Sequence, residues 1–143
     1  MADTPEIQVF CVGSTSKPMS YGAVLCTTSP NGDGHVYEHS GVIGDYTKNQ
    51  ADIISIIMAL RCIKSENRDW PVILYSPPGY ASSIVNRSED GEWRSTPQAN
   101  LDLVKEVRTI VSLFKNLRLD KCKRSNEHFA RCLELIEGCK KET

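Results

Sequence analysis

Asp52 is a lone carboxylate near the start of a long apolar helix pattern at 47–64, and its position raises the question of chemistry. A carboxylate there can ligate a hard cation through oxygen; it can equally serve the helix dipole or a cap. The stretch VFCVGSTSKPMSYGAVLC, 9–26, frames the same question. A Gly-Ser pair leaves a buried strand at Gly13-Ser14, a place where an enzyme can display an acid, yet the residue before it is Val12. Other chemical signals are weaker. His35-x-x-x-His39 lies in a strand pattern and reads as a solvated face. Gly32-Asp33-Gly34 has no helix after it and is no phosphate loop. Cys11 has no evident histidine partner, and no Gly-x-Ser-x-Gly element occurs.

Two clusters offer binding instead of catalysis. KNLRLDKCKR, 115–124, carries Lys115, Arg118, Lys121, Lys123 and Arg124, a candidate phosphate contact or a lysine-guarded edge strand. Within RSEDGEWRSTPQ, 87–98, Trp93 stands beside Arg87 and Arg94, residue types enriched where proteins grip one another. Trp93 is either an exposed anchor or a lid over the core.

The whole-chain balance constrains these readings. The 143 residues carry a formal net charge of −1, without the basic surplus of a dedicated nucleic-acid binder. No stretch is long and apolar enough to span a membrane, and the N-terminus has no secretory pattern, so an intracellular protein is expected, cytoplasmic or nuclear. The six cysteines form no C-x-x-C pair and have no histidines at zinc-finger spacing, which argues against a structural zinc or a disulfide scaffold.

The elements that must position these residues read off two periods. Apolar runs at 7–12, 21–27 and 35–44, separated by Lys17-Pro18-Met19-Ser20 and by Ser29-Pro30-Asn31-Gly32-Asp33-Gly34, predict a three-strand antiparallel meander. Ala51, Ile54, Ile57, Met58 and Cys62 then recur at helical spacing, with Thr47 as N-cap. PVILYS, 71–76, is a strand covered on both faces. A short helix at 79–86, a helix over 99–116, a strand at 117–122 and a helix near 126–139 complete the order β-β-β-α-β-α-α-β-α. One domain over 1–143 is expected, an α/β fold with a five-stranded mixed sheet and helices on both faces.

That order resembles the ribonuclease H fold, and local matches follow it. VFCVGS resembles the first strand of that family, whose usual form ends in Asp-Gly-Ser; YGAVL resembles the second. TKNQADIISIIMAL, 47–60, resembles Thr-Asn-Asn-x-x-Glu followed by an apolar helix. VILYS resembles the fourth strand, which normally runs into an Asp. NLDLVKEV resembles the start of the penultimate helix, and ARCLEL, 130–135, the last helix, which normally carries an Asp.

The resemblance implies a two-metal hydrolase, and the residues depart from it. Carboxylates on the first strand, first helix, fourth strand and last helix would hold two divalent ions ~4 Å apart. Here the four positions fall on Val12, Asp52, Pro77 and Leu133, or on Arg131 if the last helix is shifted in register. The loop before that helix is reduced to about Arg124-Ser125-Asn126 and lacks the family's histidine. The basic helical insertion of some members is absent as well.

The expectation is therefore a catalytically inactive domain of this fold, without cofactor. Its partner would be another protein, met at the edge of the third strand or at Trp93, Arg87 and Arg94. A viral or mobile-element origin fits such a degenerate domain. Non-catalytic binding of RNA/DNA hybrid or duplex through the 115–124 stretch is the alternative. A variant nuclease recruiting Asp45 or Glu134 and using Mg²⁺ or Mn²⁺ is a further one.

Overall fold

The computed structural model describes residues 5–28, 34–123 and 125–141. Three strands come first: β1 (Glu6–Gly13), β2 (Met19–Thr28) and β3 (Gly34–Gly44). Then follow α1 (Lys48–Arg61), β4 (Pro71–Tyr75), α2 (Tyr80–Val85), α3 (Leu101–Val111), β5 (Asn116–Asp120) and α4 (Glu127–Lys141). The strands lie in the order β3-β2-β1-β4-β5. The β1–β2 and β2–β3 pairs are antiparallel, and β1–β4 and β4–β5 are parallel. This is the mixed five-stranded α/β fold expected from the sequence. The turn expected at 29–33 and the side chain of Arg124 lie outside the described residues.

Each face of the sheet carries its own core. On one side, Val9, Cys11, Ala23, Leu25, Val72 and Leu74 meet Ile53, Ile56 and Leu60 of α1 and Val104, Val107 and Val111 of α3. Burial of each such Ile, Val or Leu contributes roughly 1.5–3 kcal/mol, so this larger core holds the sheet flat against its helices. On the other side, Phe10, Val12 and Val24 meet Cys132 and Ile136 of α4. Phe10 stacks on Tyr75 with ring centroids 4.6 Å apart. The six cysteines are all free thiols, and burial pushes those of Cys11 and Cys132 up, which suits inert packing groups.

Two glycines set how closely the helices approach. A Cβ on Gly22 would collide with the Cys132 backbone carbonyl, and one on Gly13 with the Ala51 backbone. Because neither carries a side chain, α4 lies directly on β2 and α1 on the end of β1. That second approach brings Asp52 to the strand end.

The helices begin and end close to the sequence reading. Thr47 caps α1 in a full capping box: its hydroxyl accepts from the Gln50 N–H, and the Gln50 side chain accepts from the Thr47 N–H at 2.8 Å. α3 is shorter than the expected 99–116; it starts after Asn100, which sits in the left-handed region at φ 58°. Residues 112–114 form a closing turn, and β5 begins at Asn116. The Asn126 side chain caps α4 by accepting from the N–H groups of His128 and Phe129. No helix among the described residues is long and apolar enough to cross a membrane.

Candidate functional site

Asp52 does not act on the helix dipole. It lies beyond the first turn of α1, only 5% exposed, and its carboxylate turns back toward β1. Its Oδ1 accepts from the Gly13 N–H at 2.8 Å and from Lys48 Nζ at 2.7 Å. Lys48 Nζ also donates to the Gly13 carbonyl at 2.7 Å. Three groups thus close a ring in which one ammonium and one carboxylate clamp both polar atoms of Gly13. Burial pushes the Asp52 carboxyl above its ordinary range, while the Lys48 and Gly13 hydrogen bonds pull it back down. Lys48 is the first residue of α1, where the dipole disfavours a cation. The carboxylate four residues on compensates for that.

Beside this clamp lies a cavity of about 500 Å³. Val12, Phe129, Leu133 and Ile136 supply its apolar wall. Ser14, Thr15, Ser76, Lys48, Glu137 and Lys140 supply polar groups. Ser14 is held rigidly: its hydroxyl accepts from the Ser20 N–H at 2.9 Å, and its own N–H donates to the Ser20 carbonyl at 2.8 Å.

Three of the four positions singled out from the sequence meet at this cavity: Val12, Asp52 and Leu133. Pro77 does not join them. It is fully buried, and its neighbours Ser76 and Pro78 form that wall. Leu133 faces the cavity, while Arg131 lies outside it in a two-pronged ion pair with Glu38 of β3, at 2.6 and 3.0 Å. Asp45 and Glu134, the acids considered as recruits, do not line the cavity. Asp45 is almost fully exposed, and Glu134 pairs with Arg131.

The donor set does not fit a pair of divalent cations. Magnesium requires oxygen ligands in near-octahedral array, and two ions need several shared carboxylates. Val12 and Leu133 have no such oxygen, and Asp52, the one buried carboxylate among the described residues, already accepts from an internal ammonium. Glu137 is the second carboxylate on the wall, at the exposed surface of α4. Among the described residues, no three His, Cys, Asp or Glu side chains group so as to hold a metal ion.

The other candidates sit apart from the cavity. Trp93 is a lid, not an exposed anchor: it is half-buried against the larger core, with the Arg108 guanidinium 4.7 Å from its ring centroid and that of Arg87 5.0 Å away. A bridge between Arg87 and Trp93 closes the loop, and the exposed Arg94 donates to the Arg87 carbonyl. Lys115, Arg118, Lys121 and Lys123 are exposed before, along and after the edge strand β5, with Arg118 paired to Asp120. His39 packs edge-on against Tyr21, whereas His35 is exposed.

Lys48, Ser76, Glu137 and Lys140 were missed by sequence reasoning. Lys48 left a signal, since a Lys–Asp pair at i,i+4 in the first turns of a helix is an available ion pair. Glu137 and Lys140 left none apart from lying on the helical face that holds Leu133 and Ile136.

No protein-family model matches the chain, and no curated protein does either. Solved structures do. The chain is similar to RNase H1 from the halophilic archaeon Halobacterium salinarum at 17% identity, covering 96% of this chain and 99% of that one with a TM-score of 0.66. It is similar to LC11-RNase H1 in complex with RNA/DNA hybrid at 22% identity, with coverage of 95% and 97% and a TM-score of 0.64. The prototype foamy virus protease-reverse transcriptase matches at 15% identity and a TM-score of 0.64, over 95% of this chain and 20% of that one. The fold is that of ribonuclease H.

Proposed function

We propose that this ribonuclease H-like chain is catalytically inactive and acts as a protein-binding module. One observation carries the reading. Lys48 Nζ sits 2.7 Å from Asp52 Oδ1, so the carboxylate that would anchor a metal is neutralised from within the chain. Val12 and Leu133 add apolar surface where the resemblance would put carboxylates.

The binding surface in this reading is the edge of β3. Val36 and Tyr37 are 61% and 67% exposed there, on an edge strand of eleven residues with neither lysine nor proline to guard it. An extended segment of a partner can add to such an edge through main-chain hydrogen bonds. An origin in a virus or mobile element belongs to the same proposal, supported by the likeness to the foamy-virus protein.

Cleavage of RNA/DNA hybrid with Mg²⁺ or Mn²⁺ tests the reading. No cleavage above a blank is expected. Metal-dependent cleavage that disappears in Asp52→Asn would overturn it.

Non-catalytic nucleic-acid binding is the second reading, favoured by the exposed Lys115, Lys121 and Lys123 and by a similar structure solved on RNA/DNA hybrid. It requires hybrid affinity that falls steeply with salt and is lost in Lys121→Ala/Lys123→Ala.

A further inference from the structure

We propose that the cavity at the end of β1 binds a small uncharged molecule with an apolar body and one polar group. The inference rests on the reading above that no metal pair occupies this place.

The size is that of a ligand site: about 500 Å³, inside the ~300–1,000 Å³ typical of small-molecule pockets. The apolar body is argued from the wall. Val12 and Ile136 are nearly inaccessible, at 4% and 3%, and form a fixed base. Phe129 is half-buried above them, and Leu133 is 45% exposed. A leucine that faces water across a concave apolar wall gains from any apolar group that displaces that water.

The absence of ligand charge follows from the balance around the rim. Lys48 and Lys140 bring two ammonium groups, and Asp52 and Glu137 bring two carboxyl groups. The two pairs cancel, so neither an anion nor a cation finds a net counter-charge. An ion entering the cavity would shed more water than the one unused Lys48 N–H replaces. Lys140 is engaged with the carbonyl and hydroxyl of Ser16.

The single polar group is argued from Lys48. Its ammonium has three N–H donors, of which two go to the Gly13 carbonyl and Asp52. No third acceptor for it is found among the described residues, and its side chain is 40% exposed. One carbonyl, ether or hydroxyl oxygen on the ligand would complete it.

Prodan, an uncharged naphthyl ketone that fluoresces in apolar sites and carries a carbonyl oxygen as acceptor, tests this directly. Its binding is expected to saturate at one molecule per chain. The anionic naphthalene probe 8-anilinonaphthalene-1-sulfonate should bind at least about ten-fold more weakly, the scale of ~1.4 kcal/mol. Leu133→Glu, which puts a charge in the wall, and Leu133→Trp, which fills it, should each weaken the neutral probe by a similar factor. Leu133 is exposed enough that both variants should keep the wild-type circular dichroism and melting point. Non-saturating binding, equal affinity for the sulfonate, or unchanged affinity in both Leu133 variants would overturn the proposal. Competition with MnCl₂ separates this proposal from the reading it rests on. Displacement of a saturable probe by Mn²⁺, lost in Asp52→Asn, would overturn the inactive-domain reading while still placing the probe in the cavity.

Discussion

Replacing Lys48 with Met keeps the side-chain length and removes the charge, leaving the Asp52 carboxylate with the Gly13 N–H alone. At 2.7 Å and an effective dielectric constant of ~20, the Lys48–Asp52 attraction is roughly 6 kcal/mol before desolvation is subtracted. Breaking a fully buried pair costs ~3–5 kcal/mol, and breaking an exposed one costs ~0–1 kcal/mol. Asp52 is buried but the Lys48 side chain is 40% exposed, so solvent screens half of the pair. We expect Lys48→Met to destabilise by about 2 kcal/mol, which lowers the melting temperature of a chain this size by roughly 6 °C. Urea unfolding of wild type, Lys48→Met, Asp52→Asn and the double variant closes a thermodynamic cycle. The double variant should be scarcely less stable than Asp52→Asn, giving a coupling of about 1.5 kcal/mol. A Lys48→Met protein that melts within about 1 °C of wild type, with additive effects in the cycle, would refute the claim that this ammonium is the counter-ion of Asp52.

The Asp52 carboxyl, raised above 3.8 in the folded state by burial, holds its proton more tightly there than in the unfolded chain. Wild-type stability relative to Asp52→Asn should therefore fall as pH rises from about 3.8 through that raised value and then level off, as paired melts across the acid range will show. Gly22→Ala drives a methyl into the Cys132 carbonyl, and a loss of at least ~2 kcal/mol in urea unfolding is expected, with α4 shifted off β2. Trp93→Ala removes the lid over the larger core and should cost ~2–4 kcal/mol in thermal unfolding while leaving any β3-dependent partner affinity unchanged.

Much of the fold was legible because β1 and α1 announce their periods with few conflicts. The strand IQVFCV is buried apart from Gln8, whereas of the α1 stripe Ala51, Ile54, Ile57, Met58 and Cys62 only Ala51 and Ile57 are buried, and Ile53, Ile56 and Leu60 beside it carry the core. Element ends were less legible, since they depend on local closures. Asn100, in the left-handed region, starts α3 later than its apolar spacing suggests. The site was half legible. That Val12 and Leu133 carry no acid is a statement about residue types, which a sequence carries. The role of Lys48 is a matter of direction: only the close approach of α1 to Gly13 turns its side chain inward. Pro77 is likewise a matter of direction: it is fully buried after the end of β4, and its neighbours Ser76 and Pro78 line the cavity. Trp93 could not be assigned from sequence because its partner Arg108 lies fifteen positions away on α3.

The ring of Lys48, Asp52 and Gly13 ties the first helix to the first strand with a cation that belongs to the polypeptide. Chelators and swings in divalent salt then have no hold on the architecture at that seam. A domain built this way keeps its shape at that seam without an added ion, which is what the proposed protein-binding role requires.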